Sequence, residues 1–243
     1  MIEIAAATHA GHIRPSNEDR YAIDERAGFA VIADGMGGER GGELAAERAC
    51  QAIARLARAA TPGSPILAAA FAHAAEAVAA HGATTAAAVR LLDGDVEIAH
   101  VGDVRVYVLG APKPPASPTY CPPVTLPSGA VLTCLTRDHS SISELVERGH
   151  LTREDAATHA LRSQVSRALG RSRTDADVAI VPLSAGDQVL LCSDGLWSVV
   201  PGETIAATLE RLPPAAACGA LVELALDAAG SDNITVAIVK GHR

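Results

Sequence analysis

Phe29-Ala30-Val31-Ile32-Ala33-Asp34-Gly35-Met36-Gly37-Gly38 is the stretch around which the chain is organised. Five apolar residues run into an aspartate and then a glycine-rich turn. The run is short and glycine-bounded, so it reads as a buried strand rather than a helix, with Asp34 where the strand leaves the core. The pattern recurs at Val189-Leu-Leu-Cys-Ser193 before Asp194-Gly195. Weaker forms are Ala99-His-Val-Gly-Asp103, and Asp232-Asn233 ahead of Ile234-Thr-Val-Ala-Ile-Val239. A lone Asp-Gly after a strand is an ordinary turn signal, and Asp93-Gly94 is read as a hairpin turn. Strand-end aspartates that gather at one edge of a sheet repel each other and lose hydration, so either their pKa values rise or cations neutralise them. Oxygen-only ligands suit hard divalent ions, Mg²⁺ or Mn²⁺.

Composition narrows the alternatives. At 243 residues the chain has ample length for a sizeable core, but aromatic content is only 2%, so the core must be built from alanine and aliphatic side chains. The net charge of −8 and the lack of a lysine-arginine cluster argue against nucleic acid and anionic membrane as partners. Five scattered cysteines without a CxxC pair point away from zinc and from a disulfide framework; Cys192 and Cys218 read as small core residues. Glu3 interrupts what would otherwise start a signal peptide, and no apolar run reaches the roughly 18 residues of a membrane span. The expectation is a soluble, cytoplasmic protein.

Strands are expected at residues 2–7, 20–24, 28–33, 84–92, 96–101, 104–109, 178–182, 187–193 and 234–239. Helices are expected at 43–60, after Ser64-Pro65, at about 203–211 and at 214–229. Ser141-Ile-Ser-Glu144 and Thr152-Arg-Glu-Asp155 look like capping boxes, and 160–169 reads as a further helix closed by Gly170. Residues 111–129, rich in proline, read as an exposed insertion. Hairpin-length connections argue against a doubly wound parallel sheet and for antiparallel sheets covered by helices, an α+β layering.

Arg14 is the cation a phosphate-handling site needs, because its planar fork binds two phosphate oxygens at once. Taken in order, Arg14-x-x-Asn17-Glu18-Asp19, Asp34-Gly-Met-Gly-Gly38, Gly82-Ala-Thr84-Thr85, Val101-Gly-Asp103-Val-Arg105, Asp138-His139-Ser140, Ser193-Asp194-Gly195-Leu196 and Asp232-Asn233 resemble the motifs of the type 2C metal-dependent protein phosphatases. The likeness is to the compact bacterial members and runs over nearly the whole chain.

That resemblance implies one catalytic domain over 1–243, with two antiparallel sheets packed as a central sandwich between helices (α-β-β-α layers) and a short helical flap at about 141–170. It implies that Asp34 bridges two Mn²⁺ or Mg²⁺ ions with the Gly35 carbonyl as a further ligand, and that Asp194 and Asp232 complete one shell. Asp103 with Asp194 corresponds to the ligands of a third, weaker ion. Glu18 and Asp19 hold and orient metal-bound water, Arg14 grips the substrate phosphate, and Asn233 positions its neighbours. The implied activity is hydrolysis of phosphoserine and phosphothreonine in proteins by direct attack of metal-bridged water, opposing a bacterial serine/threonine kinase, by a monomer. No cysteine lies in a phosphate-cradling loop, against a thiolate nucleophile.

Three departures stand out. Val104 replaces the usual serine of Gly-Asp-Ser-Arg, His9 stands where relatives often carry an acidic residue, and Met36 takes the place of a histidine found in animal-type members. His73, His81, His159 and His139 are assigned structural roles. The competing readings are a non-catalytic pseudophosphatase, disfavoured by the complete set of aspartates and Arg14, and a two-metal phosphodiesterase or nuclease, disfavoured by the acidic chain.

Overall fold

In the computed structural model, which describes residues 2–37, 41–117 and 119–241, the chain begins with β1 (Ile2–His9), β2 (Arg20–Asp24) and β3 (Phe29–Met36). Two helices follow, α1 (Gly41–Ala59) and α2 (Leu67–Val78), and then β4 (Ala83–Leu91), β5 (Asp95–Val101), β6 (Arg105–Gly110), β7 (Val124–Thr125) and β8 (Val131–Cys134). The short helices α3 (Ser141–Glu147) and α4 (Arg153–Thr158) lead to β9 (Asp177–Pro182) and β10 (Gln188–Cys192). The chain closes with α5 (Asp194–Trp197), α6 (Gly202–Arg211), α7 (Pro214–Ala228) and β11 (Ile234–Gly241). One sheet runs β1-β11-β10-β6-β8-β7 and the other β2-β3-β4-β5-β9, with every pairing antiparallel. This is the α+β layering read from the connection lengths and the two-sheet sandwich that the resemblance implies.

Strand periodicity sorts the apolar residues into layers. Phe29, Val31 and Ala33 face α1 and α2, while Ala30 and Ile32 face the other sheet. In β10, Val189 and Leu191 point between the sheets, whereas Leu190 and Cys192 pack outward beneath α6 and α7. Both faces of β3 and β10 are therefore covered, which is why these strands are unbroken apolar runs, whereas the edge strand β9 leaves Val178 and Ile180 exposed. With few aromatic rings available, alanines line the contact of α1 with β3 and β4 and let helix and sheet approach closely.

Distant charged side chains complete the backbone. Glu97 of β5 accepts from the amides of Ile66 (2.9 Å) and Leu67 (2.8 Å), so a carboxylate 30 residues away satisfies the orphan donors at the start of α2. Buried Arg90 donates to the carbonyls of Ala60 (3.2 Å), Thr61 (2.9 Å) and Ser64 (2.9 Å) beyond α1.

Several expectations need correction. Residues 160–169 are not helical: Leu169 exchanges backbone hydrogen bonds with Thr84 (2.9 and 3.1 Å), and the Ser166 amide donates to the His139 carbonyl (2.6 Å). Pairing with the sheet rim outweighs the local helical pattern. The cap of α3 is Ser140, not Ser141, its hydroxyl accepting from the Ser143 amide at 3.1 Å; Thr152 does cap α4, through the Asp155 amide. β3 runs two residues past Asp34, to Met36, and Gly38 of the expected turn lies outside the described residues. The 111–129 insertion is largely exposed, as expected, but it is anchored at several points. Ser117 and Leu126 are buried, Lys113 pairs with buried Asp187 at 3.0 Å, and the Tyr120 amide donates to Glu147 of α3 at 3.0 Å.

Candidate metal centre

The registers place one set of strand ends on a common rim. Asp34 is opposite Thr85, Ala86 opposite Val101, Cys192 opposite both Arg105 and Val236, and His9 opposite Ile234. Asp19 precedes β2, Asp103 connects β5 to β6, Asp194 follows β10 and Asp232 precedes β11. Antiparallel pairing thus brings aspartates as far apart in sequence as Asp19 and Asp232 to one acidic edge. Asp34 shares the inter-sheet face of Ala30 and Ile32, two and four residues before it, so it points into the mouth of the sandwich instead of toward α1.

A cavity of about 370 Å³ opens at this rim, and Arg14, Glu18, Asp34, Asp103, Asp194 and Asp232 line it, together with Gly35 and Met36. Seven of the eight residues singled out in the sequence therefore face one cleft. The eighth, Asp19, is 2% exposed and lies beneath it, accepting from the Ser193 hydroxyl at 2.8 Å. Ser193 Oγ in turn accepts from the Thr235 amide at 3.0 Å, which ties the ends of β10 and β11 to the strand entering β2. Ser163 and Val165 complete the wall from the flap side. They were missed because their segment reads as helix, and Ser193 was seen only as the residue before Asp194.

Close backbone approach explains two of the glycines. A Cβ on Gly35 would stand 2.5 Å from the Gly42 carbonyl and 2.7 Å from that of Glu18, so α1 packs directly on the strand beside Asp34. A Cβ on Gly195 would overlap the Asn233 carbonyl. Asn233 braces the loop that carries Arg14 and Glu18: its amide donates to the Ala10 and Ser16 carbonyls at 2.9 Å, and its oxygen accepts from the Glu18 amide at 2.7 Å.

The Asp103 turn is held from three sides. Trp197 Nε1 donates to the Asp103 carbonyl at 3.0 Å, and His139 Nδ1 accepts from the Gly102 amide at 3.1 Å. Arg105 forms a buried bidentate pair with Asp138 (2.9 and 2.8 Å) while its guanidinium lies 3.6 Å from the Trp197 ring centre. Removing one partner of such a pair strands a buried charge, at about 3–5 kcal/mol. Beside this turn, potential ligand atoms of His100, His139 and Asp177 lie within 4.8 Å of one another. The two imidazoles stack, however, and Arg167 already donates to Asp177 at 2.8 Å, so this cluster reads as a brace for the flap.

Electrostatics separates the acidic rim from an ordinary polar surface. Burial, and then the neighbouring carboxylates, push Asp34 and Asp194 well above the usual aspartate range. Burial and Asp138 raise Asp103 to about 7, and burial raises Asp19 to about 6 against hydrogen bonds from Thr235 and Ser193. Arg14 touches the group only at its edge, Nη2 donating to Asp232 Oδ2 at 2.7 Å. Clustered carboxylates that burial first, and mutual repulsion second, penalise in their charged form are the donor set that hard divalent ions fit. The residues present match Mg²⁺ or Mn²⁺.

A two-sheet sandwich flanked by helices, with an acidic metal cleft at one rim, defines a class, and sequence comparison gives it a name. A family model described as Protein phosphatase 2C matches residues 10–220, and the chain belongs to that family. It is 32% identical to the serine/threonine protein phosphatase PstP of Mycobacterium tuberculosis over 250 residues, covering 98% of this chain and 45% of that relative. It is 30% identical to the serine/threonine phosphatase stp of Listeria monocytogenes, covering 96% of this chain and 93% of the other. The crystal structure of the catalytic domain of PstP in complex with two manganese ions superposes with a TM-score of 0.84 at 30% identity, over 100% of this chain and 99% of that one. The chain spans less than half the length of the full mycobacterial relative.

Proposed function

We propose that this chain is a metal-dependent phosphatase that hydrolyses phosphoserine and phosphothreonine in proteins. The observation that carries this reading is the convergence of Arg14 with Asp34, Asp103, Asp194 and Asp232 on one cleft, from five separate segments. Asp34, Asp194, Asp232 and the Gly35 carbonyl hold two Mn²⁺ or Mg²⁺ ions, and Asp103 with Asp194 holds a third, weaker one. When bound, such ions supply positive charge against the phosphate oxygens and lower the pKa of water. Glu18, at the cleft wall, and Asp19, beneath it, orient the polar groups of the floor, Asp19 through Ser193. Arg14 is parked on Asp232 with half of its side chain exposed, within the same cleft, and is free to turn its fork onto a phosphate dianion. Met36 offers no proton at the mouth, so the leaving alkoxide takes its proton from solvent or from the substrate side.

The finer assignments belong to the same proposal: a single catalytic domain over 1–243, acting as a monomer in the cytoplasm on proteins phosphorylated by a cognate serine/threonine kinase. No helix among the described residues is long and apolar enough to cross a membrane. The test is hydrolysis of a phosphothreonine peptide across divalent ions. Phosphate release is expected with Mn²⁺ or Mg²⁺ and none after chelation; release that survives chelator, or cleavage of diesters in preference to monoesters, contradicts the proposal.

A further inference from the structure

A second cavity, of about 520 Å³, opens beneath the proline-rich insertion, and Tyr107, Tyr120 and Trp197 stand in its wall. The chain holds only two phenylalanines, three tyrosines and one tryptophan. Phe29 and Phe71 are buried in the core under α1 and α2, and Tyr21 lies on β2. Half of the aromatic side chains therefore gather at one open cavity, in a molecule whose core is built from alanine and aliphatic residues. Tyrosine and tryptophan offer large apolar area with few rotatable bonds, and with arginine they are the residues that anchor bound chains.

The walls are set before anything binds. The Arg105 guanidinium lies 3.6 Å from the Trp197 ring centre and 5.3 Å from that of Tyr120, and the bidentate pair with Asp138 fixes it there. Its Nη1 donates to the Tyr107 hydroxyl at 3.1 Å. Tyr120 is tied through its amide to Glu147, and Trp197 through its indole to the Asp103 carbonyl, each at 3.0 Å. An entering side chain thus orders little of the protein. Charge is balanced as well. Asp138 neutralises Arg105, and the other charged groups of the lining are exposed Arg153 and Glu203, one of each sign. A large uncharged side chain fits such a lining; a charged one would lose hydration without a buried partner.

The cavity adjoins the acidic cleft on its Asp103 and Asp194 side. Val104 alone separates Asp103 from Arg105, and Asp194 and Trp197 are the two ends of α5, about 5 Å apart along its axis. We propose that this cavity docks the substrate polypeptide, taking a large apolar side chain about two to four residues from the phosphoserine or phosphothreonine in the cleft, since an extended chain advances about 3.3 Å per residue. The proposal rests on the phosphatase reading above and adds a substrate class to it: phosphoproteins with an apolar anchor at a fixed distance from the phosphate.

The test steps one phenylalanine from four residues before to four residues after the phosphothreonine of an otherwise alanine-flanked peptide, and follows phosphate release by the Mn²⁺-loaded protein. kcat/KM is expected to rise on the order of tenfold at one or two neighbouring positions, through KM rather than kcat. Thr125→Phe puts a ring on an exposed residue of the lining, and Tyr120→Ala removes part of the wall. In each, the ratio between the preferred peptide and the alanine-flanked one should fall to about one. Apart from turnover, the unphosphorylated form of the preferred peptide should shift the fluorescence of Trp197, the single tryptophan, saturably, and the all-alanine peptide should not. An alanine-flanked peptide that is not cleaved counts against the phosphatase reading, and the Trp197 titration with the phenylalanine set then decides the docking proposal alone. A flat scan beside a cleaved alanine-flanked peptide, a preference that survives in both variants, or a Trp197 signal that no phenylalanine peptide moves overturns the docking proposal.

Discussion

Asp194→Ala is expected to lower kcat/KM for phosphopeptide hydrolysis by on the order of a thousandfold, about 4 kcal/mol of barrier, with the fold intact by circular dichroism. The size follows from its position. Asp194 stands at the end of β10 and the start of α5, it faces Asp103 and Asp232, and its carboxyl is among those most strongly raised by burial and by other carboxylates. One substitution thus removes a donor proposed for one of the two main ions and for the third, weaker one. The removal also relieves repulsion in the metal-free protein, so the variant is expected to be no less thermally stable than the wild type without metal. A variant that unfolds, or one that keeps activity within about threefold of wild type, contradicts the role given to this residue.

The second large effect belongs to Arg14. Arg14→Ala should cost about 1.5–3 kcal/mol, roughly ten- to hundredfold in kcat/KM, because a charged hydrogen-bonded contact to phosphate is lost. Arg14→Lys should recover only a small part, since an ammonium cannot span two phosphate oxygens. The ion pair with Asp232 supplies a discriminating readout. If Arg14 serves substrate, Mn²⁺ affinity is unchanged or slightly tighter in Arg14→Ala, because Asp232 is freed. If Arg14 merely holds the centre together, Mn²⁺ affinity weakens in step with activity. Steady-state kinetics and a Mn²⁺ titration on the same preparations separate the two.

Local chemistry made the rim legible before any coordinates. The runs ending at Asp34 and Asp194 are apolar on both faces because helices cover one face and the opposing sheet the other, and the recurrence of an aspartate after several such runs, each an ordinary turn signal alone, marks an edge. The spacing of the strands implied antiparallel pairing, and antiparallel pairing is what brings Asp19, Asp103 and Asp232 to that same edge. The rest depended on contacts that sequence does not carry. Residues 160–169 have a helical pattern, but the sheet rim offers Thr84 and His139 as backbone partners, and these decide the conformation. That Asp19 lies beneath the floor rather than in its wall is set by Ser193, whose hydroxyl donates to Asp19 and accepts from the Thr235 amide, a contact between residues 174 positions apart. The insertion is largely exposed, as its proline content suggests, but the burial of Leu126 and Ser117 and the docking of the Tyr120 amide on Glu147 of α3 carry no sequence signal.

The pKa shifts set the pH dependence of the centre. Asp19 and Asp103 titrate at about 6 and about 7 in the folded chain, above the ordinary aspartate value of 3.8. In the metal-free protein their contribution to stability is complete below pH 3.8 and is lost as pH rises through 6 and 7. Divalent ions compete with those same protons, so binding strengthens over the window in which the metal-free centre weakens.

The most direct test of the central claim, that distant carboxylates jointly hold hard cations, is calorimetric titration of the metal-free protein with Mn²⁺ at pH 7.5 and pH 5.5, alongside Asp34→Asn. Two ions per chain are expected at pH 7.5, with proton release, at least tenfold weaker binding at pH 5.5, and loss of both tight sites in Asp34→Asn. Wild-type protein that takes up no Mn²⁺, or an Asp34→Asn variant that binds two ions as tightly as the wild type, contradicts it.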